Sequence, residues 1–203
     1  MIRLGVMGGT FDPIHYGHLL AADEVRTGFG LDRVLFIPSG HPPHKQGKKI
    51  TDGLHRYTMA VLATVDHPQF SVSTIELDRP GLSYSVDTVS ALKAGLPEDS
   101  ELVFITGADA ITEILSWKDA ERLLSLCDFV AVTRPGYTMS GIDRLKEHLG
   151  SLAARVHVFP ITGFAISSSD IRERVRTGRP IRYLVPAAVE EYIHKMGFYT
   201  QSE

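Results

Sequence analysis

One cysteine, Cys127, stands in 203 residues, so no disulfide can close within the chain. A reducing compartment is the expectation that follows. No apolar run is long enough to span a bilayer. The first residues, Met1-Ile2-Arg3-Leu4, run into glycines and an acid rather than into the apolar core of a signal peptide. Charge of one sign is not in excess. Twenty-one Lys and Arg face 24 Asp and Glu, a net charge of -3. That balance speaks against a non-specific nucleic-acid binder or a polybasic membrane anchor. Internal repeats and low-complexity tracts are missing as well. Two familiar phosphate motifs are also lacking. There is no G-x-G-x-x-G, and Gly47-Lys48-Lys49 has neither the upstream glycine nor the hydroxyl of a P-loop. A cytoplasmic, water-soluble protein is expected, with neither nucleic acid nor membrane as partner.

What is present has the balance of a globular protein: 43% hydrophobic and 22% charged residues. Short apolar runs rich in β-branched residues recur at Ile2–Met7, Val34–Ile37, Phe70–Ile75, Leu102–Thr106, Phe129–Thr133 and Val156–Phe159. Helical spacing fills the gaps, at Gly17–Phe29, His55–Val65, Val86–Leu96, Trp117–Leu126, Ile142–Leu152 and Ile171–Thr177. Strands alternating with helices predict a doubly wound α/β fold with a parallel sheet. Its ligand belongs beyond the C-terminal ends of the strands. Two segments, Ser39–Gly53 and Arg134–Gly141, have the composition of loops.

The strongest local signal is Gly8-Gly9-Thr10-Phe11-Asp12-Pro13-Ile14-His15-Tyr16-Gly17-His18, between the first strand and the first helix. Adjacent glycines let a backbone come close to a ligand and offer it N–H groups. A helix N-terminus adds positive partial charge. His15 and His18, three apart, share a side of the first turn. Taken singly, the glycines also fit an ordinary tight turn. The pairs His15/His18 and His41/His44 also fit zinc, although no thiolate and no H-E-x-x-H accompany them. Near the other end, Ser167-Ser168-Ser169 opens a helix whose hydroxyls can cap N–H groups, and Arg172 follows in its first turn.

His15-Tyr16-Gly17-His18 resembles the H-x-G-H motif of the nucleotidyltransferase superfamily, and the full string from Gly8 to His18 resembles the bacterial nicotinate-nucleotide adenylyltransferases. Ile166-Ser167-Ser168-Ser169-Asp170-Ile171-Arg172 is similar to the family's second motif, with Ser169 for the usual threonine. Pro42-Pro43-His44-Lys45, Ser83-Tyr84-Ser85-Val86-Asp87-Thr88, Gly107-Ala108-Asp109, Trp117 and Arg134-Pro135-Gly136 match further family positions. Lys118 stands where many relatives carry an aromatic residue. The resemblance covers nearly the whole chain. It implies a Rossmann-like nucleotidyltransferase domain over residues 1–203, with a helical C-terminal part from about residue 166 that bears the second motif.

The implied reaction joins ATP to nicotinate mononucleotide, giving nicotinate adenine dinucleotide and pyrophosphate. The attacking phosphate monoester has a second pKa of about 6, so no general base is required. Positioning and charge stabilisation then do most of the work. By the resemblance, His15, His18, Lys45 and Arg172 carry the chemistry. The ATP side is expected from Gly8, Gly9, Thr10 and Phe11, from Gly107 and Asp109, and from Ile166, Ser167, Ser168 and Ser169. The mononucleotide side is expected from Thr10, Lys45, Tyr84, Ser85, Thr88, Trp117 and Arg134. Mg²⁺ is the expected cofactor, bound mainly through ATP phosphates with no protein cage. Three competing readings are a phosphopantetheine adenylyltransferase, a class I tRNA synthetase fragment and a non-catalytic nucleotide sensor. Homo-oligomers are common in the family, and Val185–Phe198 is either a contact surface or a closing helix.

Overall fold

A computed structural model describes residues 1–45, 47, 49–133, 142–163 and 165–200. Six strands form one sheet: β1 Arg3–Gly9, β2 Arg33–Pro38, β3 Phe70–Val72, β4 Glu101–Gly107, β5 Asp128–Thr133 and β6 Val156–Pro160. Their order is β3-β2-β1-β4-β5-β6 and every pairing is parallel. All six expected strands are there. The third is shorter than its apolar run, because pairing stops at Val72 and Ile75 lies past it.

Eight α-helices connect and follow the described strands: α1 Tyr16–Gly28, α2 Gly53–Thr64, α3 Ser85–Ala94, α4 Ala108–Thr112, α5 Ala120–Leu126, α6 Ile142–Leu149, α7 Ser168–Arg176 and α8 Ala187–Met196. Alternation along the strands sends side chains to two cores. Met7, Val103, Ile105 and Val130 meet Ala22 and Val25 of α1, Met59 of α2, Ile171 of α7 and Ile193 of α8. Leu4, Val6, Phe104 and Phe129 meet Val89 of α3, Ile111 of α4, Leu123 of α5 and Leu149 of α6. Both faces of the sheet are thus covered, which is why its central strands are largely apolar. Each fully buried aliphatic side chain contributes roughly 1.5–3 kcal/mol by leaving water. Cys127 is one of these buried groups, and burial pushes its thiol up to about 12.

Three expectations need correction. Trp117 does not begin a helix. Its backbone is extended (φ -75°, ψ 149°), and Asp119 is left-handed at φ 51° before α5 starts. The amphipathic spacing is real, but that left-handed residue breaks the helix. Residues 150–155 continue α6 only as a 3₁₀ segment. Arg172 is the fifth residue of α7, so it falls in the second turn rather than the first. Val185–Phe198 contains α8, whose Val189 and Ile193 are buried, so that segment closes the core.

In this strand order the chain reverses direction across the sheet between β1 and β4. The crevice past the C-terminal ends of those two strands is where such sheets bind ligands. Gly8 and Gly9 end β1, and Gly107 ends β4.

Candidate active site

Gly8 and Gly9 are the last two residues of β1, paired with Ile37 and Pro38, rather than a turn after it. Gly9 must lack a side chain. A Cβ there would stand 2.9 Å from the ring of Phe11, which folds back beneath it. Phe11 adopts φ 50° and is buried, so only its backbone can face a ligand. Left-handed backbone is uncommon outside glycine and here turns the chain sharply after the strand.

His15 caps α1 and is buried. The His15 N–H donates to Nδ1 of His18 at 3.2 Å, and the two rings stack with centroids 3.7 Å apart. Phe11 meets His18 edge-on at 5.1 Å. Packing therefore fixes both imidazoles side by side. One helix-end N–H is already taken, since Tyr16 donates to the Leu184 carbonyl at 3.0 Å.

The second motif lies against the first. The Ser168 hydroxyl donates to the Pro13 carbonyl at 2.9 Å, and Arg172 Nη1 donates to the Asp12 carbonyl at 2.9 Å. Ser167 caps α7 by accepting from the Asp170 N–H. Two strings whose bonded residues stand 155 and 160 positions apart in sequence become one surface.

Two cavities open along this edge. The larger, about 630 Å³, is walled by His15, His18, Gly107, Asp109 and the three serines 167–169. Ile166 also lines it. The smaller, about 420 Å³, is walled by Gly9, Thr10, Tyr84, Ser85, Thr88 and Trp117. Gly8, Lys45 and Thr106 line both. Lys45 ends a 3₁₀ turn, Pro43–Lys45, inside the expected loop. The structure thus gathers most of the predicted positions around two adjoining spaces. Two predicted positions stand outside these walls: the Phe11 ring, buried in the core, and Arg172, one of whose N–H groups is engaged on Asp12. Arg134 lies outside the described residues.

Trp117 has two sides. One packs edge-on against Phe104 and Phe129, with centroids 6.1 and 6.4 Å away, and the residue also lines the smaller cavity. Core packing and a binding wall are therefore compatible. Lys118 lines the same cavity, with Nζ 4.4 Å from the Tyr84 ring centroid and 3.1 Å from Asp87.

Sequence reasoning missed Glu76, buried in the wall of the smaller cavity. Its Oε1 accepts from the Thr88 hydroxyl at 2.7 Å, and Thr88 accepts from Arg79 at 2.8 Å. Burial raises the Glu76 pKa, against the opposing hydrogen bonds of Thr88 and Ser83 and the charge of Arg79. The Thr88 hydroxyl, predicted to face substrate, is committed to this network. Asp12, Arg56 and Tyr199 were missed too. Charged side chains in a sequence ordinarily signal solvent, and these have partners far along the chain.

Among the described residues no group of three or more His, Cys, Asp or Glu could hold a metal. The larger cavity offers Asp109 as its carboxylate, with threonine and serine oxygens. That donor set suits an ion that keeps its waters and binds mainly through a phosphate-bearing ligand. No described helix is long and apolar enough to cross a membrane.

Residues 6–174 match the cytidylyltransferase-like family. A probable nicotinate-nucleotide adenylyltransferase of Thermoanaerobacter sp. (strain X514) is 53% identical over 204 residues, covering 100% of this chain and 96% of the relative. A protein of the same description from Moorella thermoacetica is 50% identical, covering 97% and 91%. The Plasmodium falciparum nicotinic acid mononucleotide adenylyltransferase, solved in complex with NaAD, superposes with a TM-score of 0.79 over 98% of both chains at 19% identity.

Proposed function

The chain belongs to the cytidylyltransferase-like family, among relatives described as nicotinate-nucleotide adenylyltransferases, and from that premise we propose how its two cavities divide the work. The enzyme transfers the AMP part of ATP to nicotinate mononucleotide, releasing pyrophosphate and forming nicotinate adenine dinucleotide. ATP occupies the larger cavity and the mononucleotide the smaller. The observation that carries this division is the shared wall of Gly8, Lys45 and Thr106, where two phosphates from opposite sides would meet.

At neutral pH the phosphate of the mononucleotide is mostly a dianion, so it attacks the α-phosphorus of ATP without a base. The P–O bond to the β-phosphate breaks, and pyrophosphate leaves with its electron pair. Two anions must approach, so donors and cations decide the rate. His15 and His18 donate to the triphosphate, their rings held parallel by stacking. The Lys45 ammonium, in the wall common to both spaces, neutralises both reacting phosphates. Ser167, Ser168 and Ser169, with the N-terminus of α7 and Arg172, receive the departing pyrophosphate. Gly107 and Asp109 accept from the ribose of ATP. Tyr84, Ser85, Trp117 and Arg134 hold the mononucleotide. Asp109, the one carboxylate among the described residues lining the larger cavity, would with the serine and threonine oxygens there help to hold a Mg²⁺ carried in mainly by the ATP phosphates, and that ion would supply further charge neutralisation. The chain works in the cytoplasm on these small molecules.

Pyrophosphate release with ATP and Mg²⁺ tests the reading, with nicotinate mononucleotide, nicotinamide mononucleotide and phosphopantetheine compared as acceptors. A clear preference for the first is expected. Preference for another acceptor discards the assignment of the smaller cavity. No release with any of them, from folded protein, leaves a nucleotide-binding protein without this activity.

A further inference from the structure

A buried charged cluster adjoins the site, and no motif points to it. Arg56, on α2, is 1% exposed. Its Nη1 donates to the Thr10 carbonyl at 2.7 Å, its Nε to the Thr51 carbonyl at 2.8 Å and its Nη2 to the Gly40 carbonyl at 3.4 Å. Gly40 and Thr51 lie near the two ends of the loop that carries Lys45, and Thr10 opens the loop after β1. One guanidinium therefore ties both loops together. Asp12, itself 3% exposed, completes the cluster. It accepts from the Thr51 N–H at 3.3 Å and from the Tyr199 hydroxyl at 2.7 Å.

We propose that Arg56 is a positioning residue for the transfer reaction, holding the Thr10–Phe11 peptide and both ends of the Lys45 loop in the geometry that receives the phosphates. The proposal rests on the function given above. The direction of the peptides supports it. In a trans peptide the carbonyl and the following N–H point opposite ways. With the Thr10 carbonyl drawn to buried Arg56, the Phe11 N–H points away from it. The Gly40 peptide shows the same logic completed, since its carbonyl meets Arg56 while the His41 N–H meets the Ser83 hydroxyl at 3.0 Å.

Stability alone is a poor reason for such a residue. Burying a cation costs free energy that an apolar side chain of the same volume would not incur. Burial lowers the Arg56 pKa, while Asp12 and Asp52 oppose the shift. What an apolar side chain lacks is a planar fork of five donors, which can hold three carbonyls of two loops at once. Lysine, a point charge on a flexible stem, cannot do this either.

The experiment compares Arg56→Lys and Arg56→Met with wild type and with Met59→Ala, a buried core position one turn along α2. Pyrophosphate release is measured over both substrate concentrations, well below each variant's melting midpoint. Both Arg56 variants should lose about 10²-fold in kcat, as a small misplacement of reacting groups does. KM for both substrates should stay within about threefold. Met59→Ala should melt earlier yet keep its kcat. Tyr199→Phe leaves the Arg56 hydrogen bonds in place and should lose only a few-fold, roughly one hydrogen bond's worth; if Arg56→Met does not fold, Arg56→Lys, which keeps the charge and loses the fork, carries the test. Wild-type kcat in Arg56→Lys, a loss confined to KM, or a kcat loss no greater than that of Met59→Ala overturns the proposal. An inactive wild type overturns the function and this proposal together. An active wild type with indifferent Arg56 variants overturns this proposal alone.

Discussion

The two cavities are built by different means. The larger one draws chiefly on two short strings, within residues 8–18 and 166–169, joined by Lys45 and the end of β4, and uses glycines, helix ends and hydroxyls. The smaller one is assembled from separate places along the chain: the end of β1, the Lys45 loop, Glu76, the start of α3 and Trp117. Its walls include a buried acid held by a hydroxyl that in turn accepts from an arginine. A space lined by backbone and short polar groups suits phosphate, which every nucleotide carries. One shaped by an aromatic ring and a buried network suits a base, which differs from ligand to ligand. On the proposed division, the first would serve any nucleotide and the second would set which one is accepted.

Removing a donor from the larger cavity should cost the most. In His18→Ala, kcat should fall about 10²–10³-fold, as loss of one preorganised donor does. The fold should survive, checked by circular dichroism beside the pyrophosphate assay. Near wild-type turnover would break the contrast at its stronger end. Next comes Trp117→Ala. It should raise KM for the mononucleotide by up to about tenfold, from one lost aromatic contact, with KM for ATP unmoved. Equal rises in both constants would mean that the two spaces are not separate. The Trp117 contacts to Phe104 and Phe129 also predict a lower melting midpoint.

The smallest effect expected is on pH dependence, in Glu76→Gln. The folded pKa of Glu76 lies above its ordinary value of 4.5, because burial disfavours the charge. Between those two values the folded state binds more protons than the unfolded state. The contribution of this group to stability therefore falls as pH rises through that window. Glutamine does not titrate. Melting midpoints of variant and wild type should lie closest at low pH, and the variant should gain on wild type as pH rises above about 4.5. A constant difference across the range would mean that the network does not shift this carboxyl.

The same contrast explains what the sequence made legible. The central parallel strands announce themselves because both their faces are apolar, as in Leu102–Thr106. The glycine pair is legible as a signal, but the reason for Gly9, a ring lying where its Cβ would be, is not. The serines of α7 are legible because a helix start needs caps. Arg56, Asp12 and Glu76 are not, since nothing local distinguishes a charge that will be buried from one that will not. Their partners stand up to 187 residues away. Trp117 misled for a related reason. Its spacing from Leu123 and Leu124 fits a helix, while the break at Asp119 is a backbone angle that composition does not encode.

The bond between Asp12 and Tyr199 closes a loop of 187 residues. The pairing of β1 with β4, from Arg3 and Glu101 onward, joins distant segments as well. Closing such loops costs conformational entropy before the contacts repay it. A chain whose central strand is completed only by partners this remote should fold more slowly than a helical bundle of its size.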